Sequence, residues 1–231
     1  MRDADGTFTT FEAPGSLFTE PTDINPAGEI TGNYLAGSFH GFLRKKDGTF
    51  TTFDVVGSYS TYPHAINPAG QIIGEYQANN AAHGFLRKRD GTLITFDVPG
   101  SMATSPRAID PAGQITGEFL DANFTAHGFL RRRDGKIITF DALNSGSIGT
   151  FPKAIDAEGQ ITGQYVDTKG LTHGFLRHAD GTLATFDVPG STGTLPVDIN
   201  SAGEITGYYC DETPDGRVGC HGFLLTKRRH Q

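Results

Sequence analysis

The tetrapeptide His-Gly-Phe-Leu constrains this chain more than any other feature, because it occurs five times in 231 residues. Successive copies are separated by 43 to 48 residues, which matches the length of one blade of a β-propeller. The copies begin at His40, His83, His127, His173 and His221. We therefore expect one structural unit repeated along the chain.

Each unit reads as four short strands joined by tight turns. In the second unit the expected strands A to D cover 62–67, 71–76, 83–87 and 92–98, and all are rich in Thr, Ile, Phe or Tyr. The turn 67–70 places Pro where φ near −65° is needed and Gly where φ can be positive. Asp90-Gly91 is a hairpin signal of the same kind.

The two ends of the chain complement each other. Residues 7–13 match strand D without a preceding A, B or C, whereas the last unit stops after strand C. A four-stranded sheet needs neighbours to cover it, and a closed ring leaves few exposed edges. The sequence thus predicts an all-β, single-domain, five-bladed β-propeller with four antiparallel strands per blade. Its N-terminal strand would join the C-terminal blade.

Composition limits the partners. The net charge of −7 argues against nucleic acid, and no run approaches the ~18 apolar residues of a membrane helix. No signal peptide is visible, so the chain fits either a cytoplasmic protein or a mature piece of a secreted one. We read the basic run 227–230 as a solvated tail and expect a monomer.

The two cysteines, Cys210 and Cys220, flank the longest connection between strands B and C. Paired strands of a hairpin would bring their Cα atoms within disulfide range. We predict a disulfide here, which favours an oxidising compartment. A metal site at these thiols is disfavoured, since the loop offers no further His or Cys.

The units His-Gly-Phe-Leu-Arg, Thr-Phe-Asp-Val-Pro-Gly-Ser and Ala-Ile-Asn-Pro-Ala-Gly-Gln-Ile resemble the bacterial HAF-type probable extracellular repeats. The resemblance covers almost the whole chain. It implies an extracellular or cell-envelope protein whose signal peptide is not in this chain. It implies no catalytic residue.

Loop lengths distinguish the two ends of the expected barrel. The A–B and C–D turns keep a constant length, whereas the B–C connections vary and one D–A connection is longer than the rest. Insertions in repeat proteins gather on one face, which is often the binding face. We therefore expect a small-molecule or glycan ligand at the B–C and D–A face.

Positions near the expected axis differ from unit to unit. The residue after the strand A proline is Thr22, His64, Arg107, Lys153 and Val197 in successive units. The residue before that proline is Glu20, Tyr62, Ser105, Phe151 and Leu195. The strand B position after glycine holds Asn33, Glu75, Glu118, Gln164 and Tyr208. This asymmetry is typical of one central pocket, although drift at unselected positions would also produce it.

Our leading hypothesis is a hydrolase or lyase acting on an anionic ester or carbohydrate. Arg107, Lys153 and His64 would bind the anionic group, with Glu75, Glu118 or His64 as general acid or base. Glu20, Thr22, Tyr62, Phe151, Gln164 and Tyr208 are the expected ligand-binding residues. A divalent metal ion on Asp23 and Asp198, the acidic pair two positions after the proline, is a weaker hypothesis.

Two other classes of function remain open. In a non-catalytic glycan-binding module, exposed aromatic side chains would stack on sugar rings. The candidates are Tyr59, Tyr62, Phe124, Phe151 and Tyr208. The chain could also be a structural propeller in a larger assembly. The five strand C histidines are interpreted as structural, because one per unit spreads them around the ring instead of converging on an ion.

Overall fold

A computed structural model describes residues 6, 8–143, 145–212 and 217–226. The predicted basic tail and the middle of the 211–219 loop lie outside these residues. None of the described residues forms a helix, and hence no helix among them could cross a membrane. The all-β prediction is confirmed.

The nineteen strands of the described chain follow the predicted repeat. Unit 1 contains β1 (Phe18–Ile24), β2 (Ile30–Ala36), β3 (Ser38–Arg44) and β4 (Phe50–Phe53). Unit 2 contains β5 (Ser60–Ile66), β6 (Ile72–Ala78), β7 (Ala81–Arg87) and β8 (Leu93–Phe96). Unit 3 contains β9 (Ala103–Ile109), β10 (Ile115–Leu120), β11 (Ala126–Arg131) and β12 (Ile137–Phe140). Unit 4 contains β13 (Ser145–Ile155), β14 (Ile161–Asp167), β15 (Thr172–Arg177) and β16 (Leu183–Phe186). Unit 5 contains β17 (Gly193–Ile199), β18 (Ile205–Glu212) and β19 (Val218–Leu225).

Each unit is an antiparallel meander, but the units are not five separate sheets. Units 1 and 2 each form a four-stranded sheet, while units 3 to 5 share one of eleven strands. Single parallel pairs, Ala126 with Gly149 and Thr172 with Gly193, join these last three units. The A strands contact one another in succession, from β1 through β5, β9 and β13 to β17. The divergent strand A positions of neighbouring units are therefore brought close together.

The turns adopt the conformations that their residues dictate. Gly70 and Gly91 have φ of 74° and 92°, in the left-handed region where a Cβ is disfavoured. The Asp90 carboxylate accepts a hydrogen bond from the Thr92 N–H, which fixes the C–D turn. These aspartates therefore serve turn geometry, as expected.

Neighbouring units are held together by phenylalanine rings. The Phe at the end of strand D meets the strand C Phe of the next unit edge-to-face, as Phe53 meets Phe85 with ring centroids 6.1 Å apart. Phe85 is fully buried by this contact. The Arg87 guanidinium lies 5.0 Å from the centroid of the same Phe53 ring. The corresponding ring pairs are Phe11–Phe42, Phe96–Phe129, Phe140–Phe175 and Phe186–Phe223.

The strand C histidines are structural, as the sequence indicated. Nδ1 of His83 lies 2.9 Å from a carboxylate oxygen of Asp97 on strand D, and its ring stacks on Tyr76 of strand B. His40, His127 and His173 make the same bond to Asp54, Asp141 and Asp187. Each of these histidines thus connects strands B, C and D of its own unit. His221 instead lies 3.4 Å from Asp211.

The expected closure by residues 7–13 is not present in the described chain. This segment forms one isolated β-bridge, at Phe8, and no strand. Its Phe11 packs against Phe42 and Phe50 of unit 1, where it takes the place of a strand D phenylalanine. Burying this ring removes apolar surface from water, which stabilises the contact with unit 1. The described residues of the segment form no strand paired along β19.

The predicted disulfide between Cys210 and Cys220 is present. The two residues are direct cross-strand partners in β18 and β19, with Cα atoms 4.1 Å apart. The bond holds together the two strands that flank the longest B–C connection.

Because the strand C phenylalanines differ in burial, they should differ in their effect on stability. Phe129 is fully buried, and we expect Phe129→Ala to lower the free energy of unfolding by about 3 to 5 kcal/mol. Phe223→Ala, the equivalent change at a half-buried site, should cost clearly less. Urea unfolding followed by circular dichroism measures both. Equal losses would contradict this account of the packing between units.

Candidate functional site

A β-bulge in strand A positions the residues predicted to line the axis. Cross-strand pairing skips the residue after the proline, so that His64 and Arg107 have no partner opposite them in strand B. Strands A and B approach closely at this point because the residue that faces the proline is a glycine. A Cβ on Gly74 would overlap the Tyr62 carbonyl oxygen. Bulges redirect side chains and are frequent near active sites. The bulge recurs in every unit.

His64 reaches across to the next unit. Its Nδ1 lies 2.7 Å from the Pro106 carbonyl oxygen. A carbonyl oxygen only accepts, so Nδ1 carries the proton and Nε2 of the neutral ring has a free lone pair. Burial lowers the pKa of His64 below its ordinary value, despite the opposing effects of the Pro106 hydrogen bond and the Glu75 charge. His64 is therefore a neutral imidazole near pH 7, with Nε2 as a base.

Arg107 and Glu118 form an ion pair within unit 3. Nε and one terminal nitrogen of Arg107 donate to Glu118 Oε1 over 2.8 and 2.6 Å. Burial by itself lowers the pKa of Arg107, but the hydrogen bond and charge of Glu118 outweigh it and the pKa is raised. The guanidinium is thus fixed and charged, with its second terminal nitrogen outside this pair.

Two buried carboxylate oxygens complete the cluster. Oε2 of Glu75 and Oε2 of Glu118 are both shielded from solvent, and neither has a hydrogen-bond partner among the described residues. The Glu75 charge acts on both His64 and Arg107. Buried polar atoms without partners are rare in folded proteins and need a functional or structural explanation. We refer to His64, Glu75, Arg107 and Glu118 as the axial cluster.

Lys153 is the fifth of the predicted catalytic residues. It is half-buried at the bulge of unit 4, and within the described ranges it forms no ion pair with Glu75 or Glu118. Its equivalent in unit 1, Thr22, uses the bulge differently. The Thr22 hydroxyl donates to the Pro63 carbonyl oxygen over 3.0 Å, which matches the His64 contact one unit further on. Bonding to the next unit is therefore one role of this position.

The six predicted ligand-binding residues are dispersed. Glu20 accepts a 3.3 Å hydrogen bond from Asn33, whose buried Oδ1 has no partner in the described chain. Tyr62 packs on Phe39 of unit 1 with ring centroids 5.2 Å apart, which favours the packing interpretation over a sugar platform. The other four lie in units 1, 4 and 5. These are Thr22 in unit 1, Phe151 and Gln164 as cross-strand partners in unit 4, and Tyr208, 43% exposed, in unit 5.

The Asp23–Asp198 pair is close enough to interact but offers little to a metal ion. Burial and, to a smaller extent, the charge of Asp198 raise the pKa of Asp23. Both Asp23 oxygens already accept main-chain N–H groups, from Ile24 and from Ile66 of the next unit. Among the residues that the structure describes, no group of three His, Cys, Asp or Glu could hold a metal ion.

The end of the molecule with the variable loops exposes apolar side chains. At least half of the residue surface is exposed for Tyr59 and Met102, in the D–A connections, and for Ile148, near the start of β13. Phe124, in a B–C loop, is 70% exposed and has φ of 61°, a left-handed conformation unusual for a bulky residue. Backbone strain of this kind is concentrated at functional sites.

Comparison with models of protein families and with curated proteins finds no match. Solved structures do resemble this fold. A streptogramin B lyase is 16% identical, with 91% of this chain aligned to 70% of that chain at a TM-score of 0.57. A virginiamycin B lyase from Staphylococcus aureus is 15% identical, with 87% aligned to 69% at 0.57. A TolB-like protein from Agrobacterium tumefaciens is 14% identical, with 91% aligned to 82% at 0.61.

These neighbours are β-propeller-like proteins, and at such low identity the likeness shows the fold alone. This chain is therefore an all-β protein with the architecture of propellers. Its chemistry has to be argued from its own residues.

The different environments of His64 and His173 should give the two side chains different pKa values. We expect the pKa of His64 below 6.5 because of burial, and that of His173 above 6.5, where Asp187 and Asp167 outweigh desolvation. Histidine proton NMR, assigned with His64→Gln and His173→Gln, measures both. Because folding lowers the pKa of His64, the contribution of His64 to the free energy of unfolding is lost as pH falls below 6.5. The His173 contribution is lost as pH rises through its raised pKa. A His64 pKa above that of His173 would contradict this reading.

Proposed function

We propose that this protein is a hydrolase or lyase that acts on an anionic ester or carbohydrate at the axial cluster. The observation that carries the proposal is the combination of a neutral His64, with Nε2 available as a base, and a fixed Arg107 cation. The asymmetry supports it, because the equivalent positions of the five units hold this combination only in units 2 and 3.

The residues fit a proton-transfer mechanism. His64 Nε2 would take a proton from water, or from a carbon beside a carboxylate or ester carbonyl. In hydrolysis, the water oxygen then attacks the ester carbon, the bond from that carbon to the leaving oxygen breaks, and His64 returns its proton to the departing oxygen. In elimination, the carbon's electron pair forms a double bond as the bond to the leaving group breaks, and the leaving group takes up the proton from His64. Arg107 would stabilise the negative charge that develops on the substrate oxygen.

The two glutamates would support this step in different ways. Glu118 holds Arg107 in one orientation through Oε1, so the cation is positioned before substrate arrives. Glu75 favours the imidazolium form of His64 that proton transfer creates. Their unpartnered Oε2 atoms would accept hydrogen bonds from substrate hydroxyl groups.

Removing the base tests this assignment. The substrate panel contains chromogenic esters, phosphoesters and glycosides, and uronates whose elimination creates a double bond. On the substrates that are turned over, we expect His64→Gln to lower kcat/KM about 100-fold or more. The wild-type kcat/KM should rise with pH through the lowered pKa of His64. His83→Gln is the matched control, because it removes a structural histidine of the same unit. Activity that survives His64→Gln, or falls equally in both variants of intact fold, would contradict the assignment.

A glycan-binding module is the second candidate function. Its support is the exposure of Tyr59 and Phe124, 53% and 70%, on the variable-loop face. Flat aromatic rings at such positions could stack on sugars. Saturable glycan binding with intact ligand recovered, and without turnover of the substrate panel, would favour this function over catalysis.

We also propose that the protein is secreted or belongs to the cell envelope and acts as a monomer. The Cys210–Cys220 disulfide supports the location, because such bonds persist in oxidising compartments. The HAF-type repeat motifs are consistent with it, and we propose that the five units belong to that family.

For the fold, we propose a five-bladed propeller in which residues 7–13 supply the fourth strand of unit 5. Three features of unit 5 support a vacant strand position. In units 1 to 4 a strand D phenylalanine covers the strand C glycine, as Phe96 covers Gly84, but Gly222 has no such ring near it. Phe223 is only half-buried, whereas its four equivalents are fully buried. His221 has no strand D aspartate, and the exposed Glu12 stands at the matching sequence position.

A cysteine pair tests the closure. In the other units the residue equivalent to Leu224 pairs with the residue equivalent to Thr9, as Leu130 pairs with Ile138. We expect Thr9→Cys with Leu224→Cys to form an intramolecular disulfide on oxidation, seen by peptide mass mapping. Val56→Cys with Leu224→Cys is the control, because Val56 is 97% exposed in another unit. Cross-linked dimers instead of monomers would show that the strand comes from a second copy, and this would contradict self-closure.

A further inference from the structure

Exposed cations are grouped in the C–D turns, at the end of the molecule with the constant-length turns, although the chain carries a net charge of −7. Three successive C–D turns expose two cations each at the same positions. These pairs are Lys45–Lys46, Lys88–Arg89 and Arg132–Arg133. In unit 4 the same positions hold His178 and Ala179. Among the C–D turns that the structure describes, the exposed cation pairs therefore lie in units 1 to 3.

The turns that carry these cations are rigidly supported. The residue just before each pair is an arginine, half-buried in unit 1 and buried in units 2 and 3, that lies over a phenylalanine ring, as Arg131 does over Phe96 at 4.9 Å. The A–B turns beneath them are joined between units, because Asn67 Nδ2 donates to the Asp110 carbonyl oxygen over 3.1 Å. Neither the buried arginine nor this contact uses the exposed pair. Arg89 forms an ion pair with Glu29 in the A–B turn of unit 1, with nitrogen and oxygen 3.5 Å apart. Lys88, Arg132 and Arg133 form no ion pair within 4.0 Å among the residues that the structure describes.

Two adjoining cavities run across units 2 and 3 at this end. The first, about 430 Å³, is bordered by Lys88 and Arg89 of unit 2 and by Arg133 of unit 3. The second, about 560 Å³, is bordered by Arg132 and Arg133. Because Arg133 and Ala112 border both, the cavities form one continuous groove. We call it the turn-face groove.

The turn-face groove also offers neutral hydrogen-bonding groups. Gln71 borders the first cavity, and its Oε1 accepts a hydrogen bond from Asn67. The Nε2 atom of Gln71 has no hydrogen-bond partner among the described residues. Gln114 borders the second and donates from Nε2 to Asp110, which leaves Oε1 as an acceptor. The groove therefore presents one amide donor and one amide acceptor in addition to the cations.

We propose that the turn-face groove binds a linear acidic polysaccharide, at a site separate from the axial cluster. Lys88, Arg132 and Arg133 would pair with carboxylate groups along the polymer, Arg89 would be shared with Glu29, and Gln71 and Gln114 would bond to hydroxyl groups of the polymer. The two cavities have no aromatic side chain on which nucleic-acid bases could stack. They also lack the large apolar side chains that insert into a lipid surface. Asp90 and Asp134 interrupt the cations, which disfavours a densely charged phosphate backbone.

Fluorescein-labelled oligogalacturonate tests the proposal by fluorescence anisotropy with the full chain. We expect saturable binding that weakens between about 50 mM and 200 mM salt. Arg133→Gln should raise Kd about tenfold, because this residue borders both cavities. Lys169→Gln is the matched control, since it removes the same charge from an exposed loop at the opposite end and should leave Kd unchanged.

Three outcomes would overturn the proposal. One is no binding of oligogalacturonate at low salt, and another is equal weakening by Arg133→Gln and Lys169→Gln. The third is tighter binding of a single-stranded DNA of equal charge, lost in Arg133→Gln, which would identify nucleic acid as the occupant. Because no residue of the axial cluster is changed, turnover in the Arg133→Gln variant reports separately on the proposed catalytic function.

Discussion

The structure depends on the edge-to-face contact between the strand D phenylalanine of one unit and the strand C phenylalanine of the next. One four-stranded meander cannot bury its own apolar face, so each unit is stable only when a neighbour covers it. Phe85, Phe129 and Phe175 are fully buried in this way. The arginine that stacks on the covering ring joins the same contact to the C–D turn, which places exposed cations directly beyond it.

This repeated packing leaves other positions free to diverge. The strand A bulge projects one residue per unit toward its neighbour, and its side chain can change without loss of the phenylalanine contact. Thr22 and His64 use the position to bond the next unit, while Arg107 pairs with Glu118 in its own. A functional site can therefore develop between units 2 and 3 while the scaffold stays the same.

The two ends of the molecule differ for a related reason. Constant-length turns are fixed by aspartate caps, left-handed glycines and bonds between units, so their backbone conformation repeats from unit to unit. The variable loops are free of these constraints and carry exposed apolar side chains such as Phe124. We proposed the glycan-binding alternative for the variable end and the acidic polysaccharide site for the constant end.

The sequence by itself determined the five repeats, the strands, the structural histidines and the disulfide, because each follows from local pattern or spacing. It also singled out His64, Glu75, Arg107 and Glu118, since divergence among equivalent positions is visible without coordinates. Only the tertiary structure decided that Arg107 pairs with Glu118, that Tyr62 packs on Phe39 and that main-chain groups occupy both Asp23 oxygens. Likewise it decided that Phe11 packs on unit 1 without pairing along β19. These outcomes depend on contacts between units, which are set by side-chain direction and burial and leave no periodic signal in the sequence.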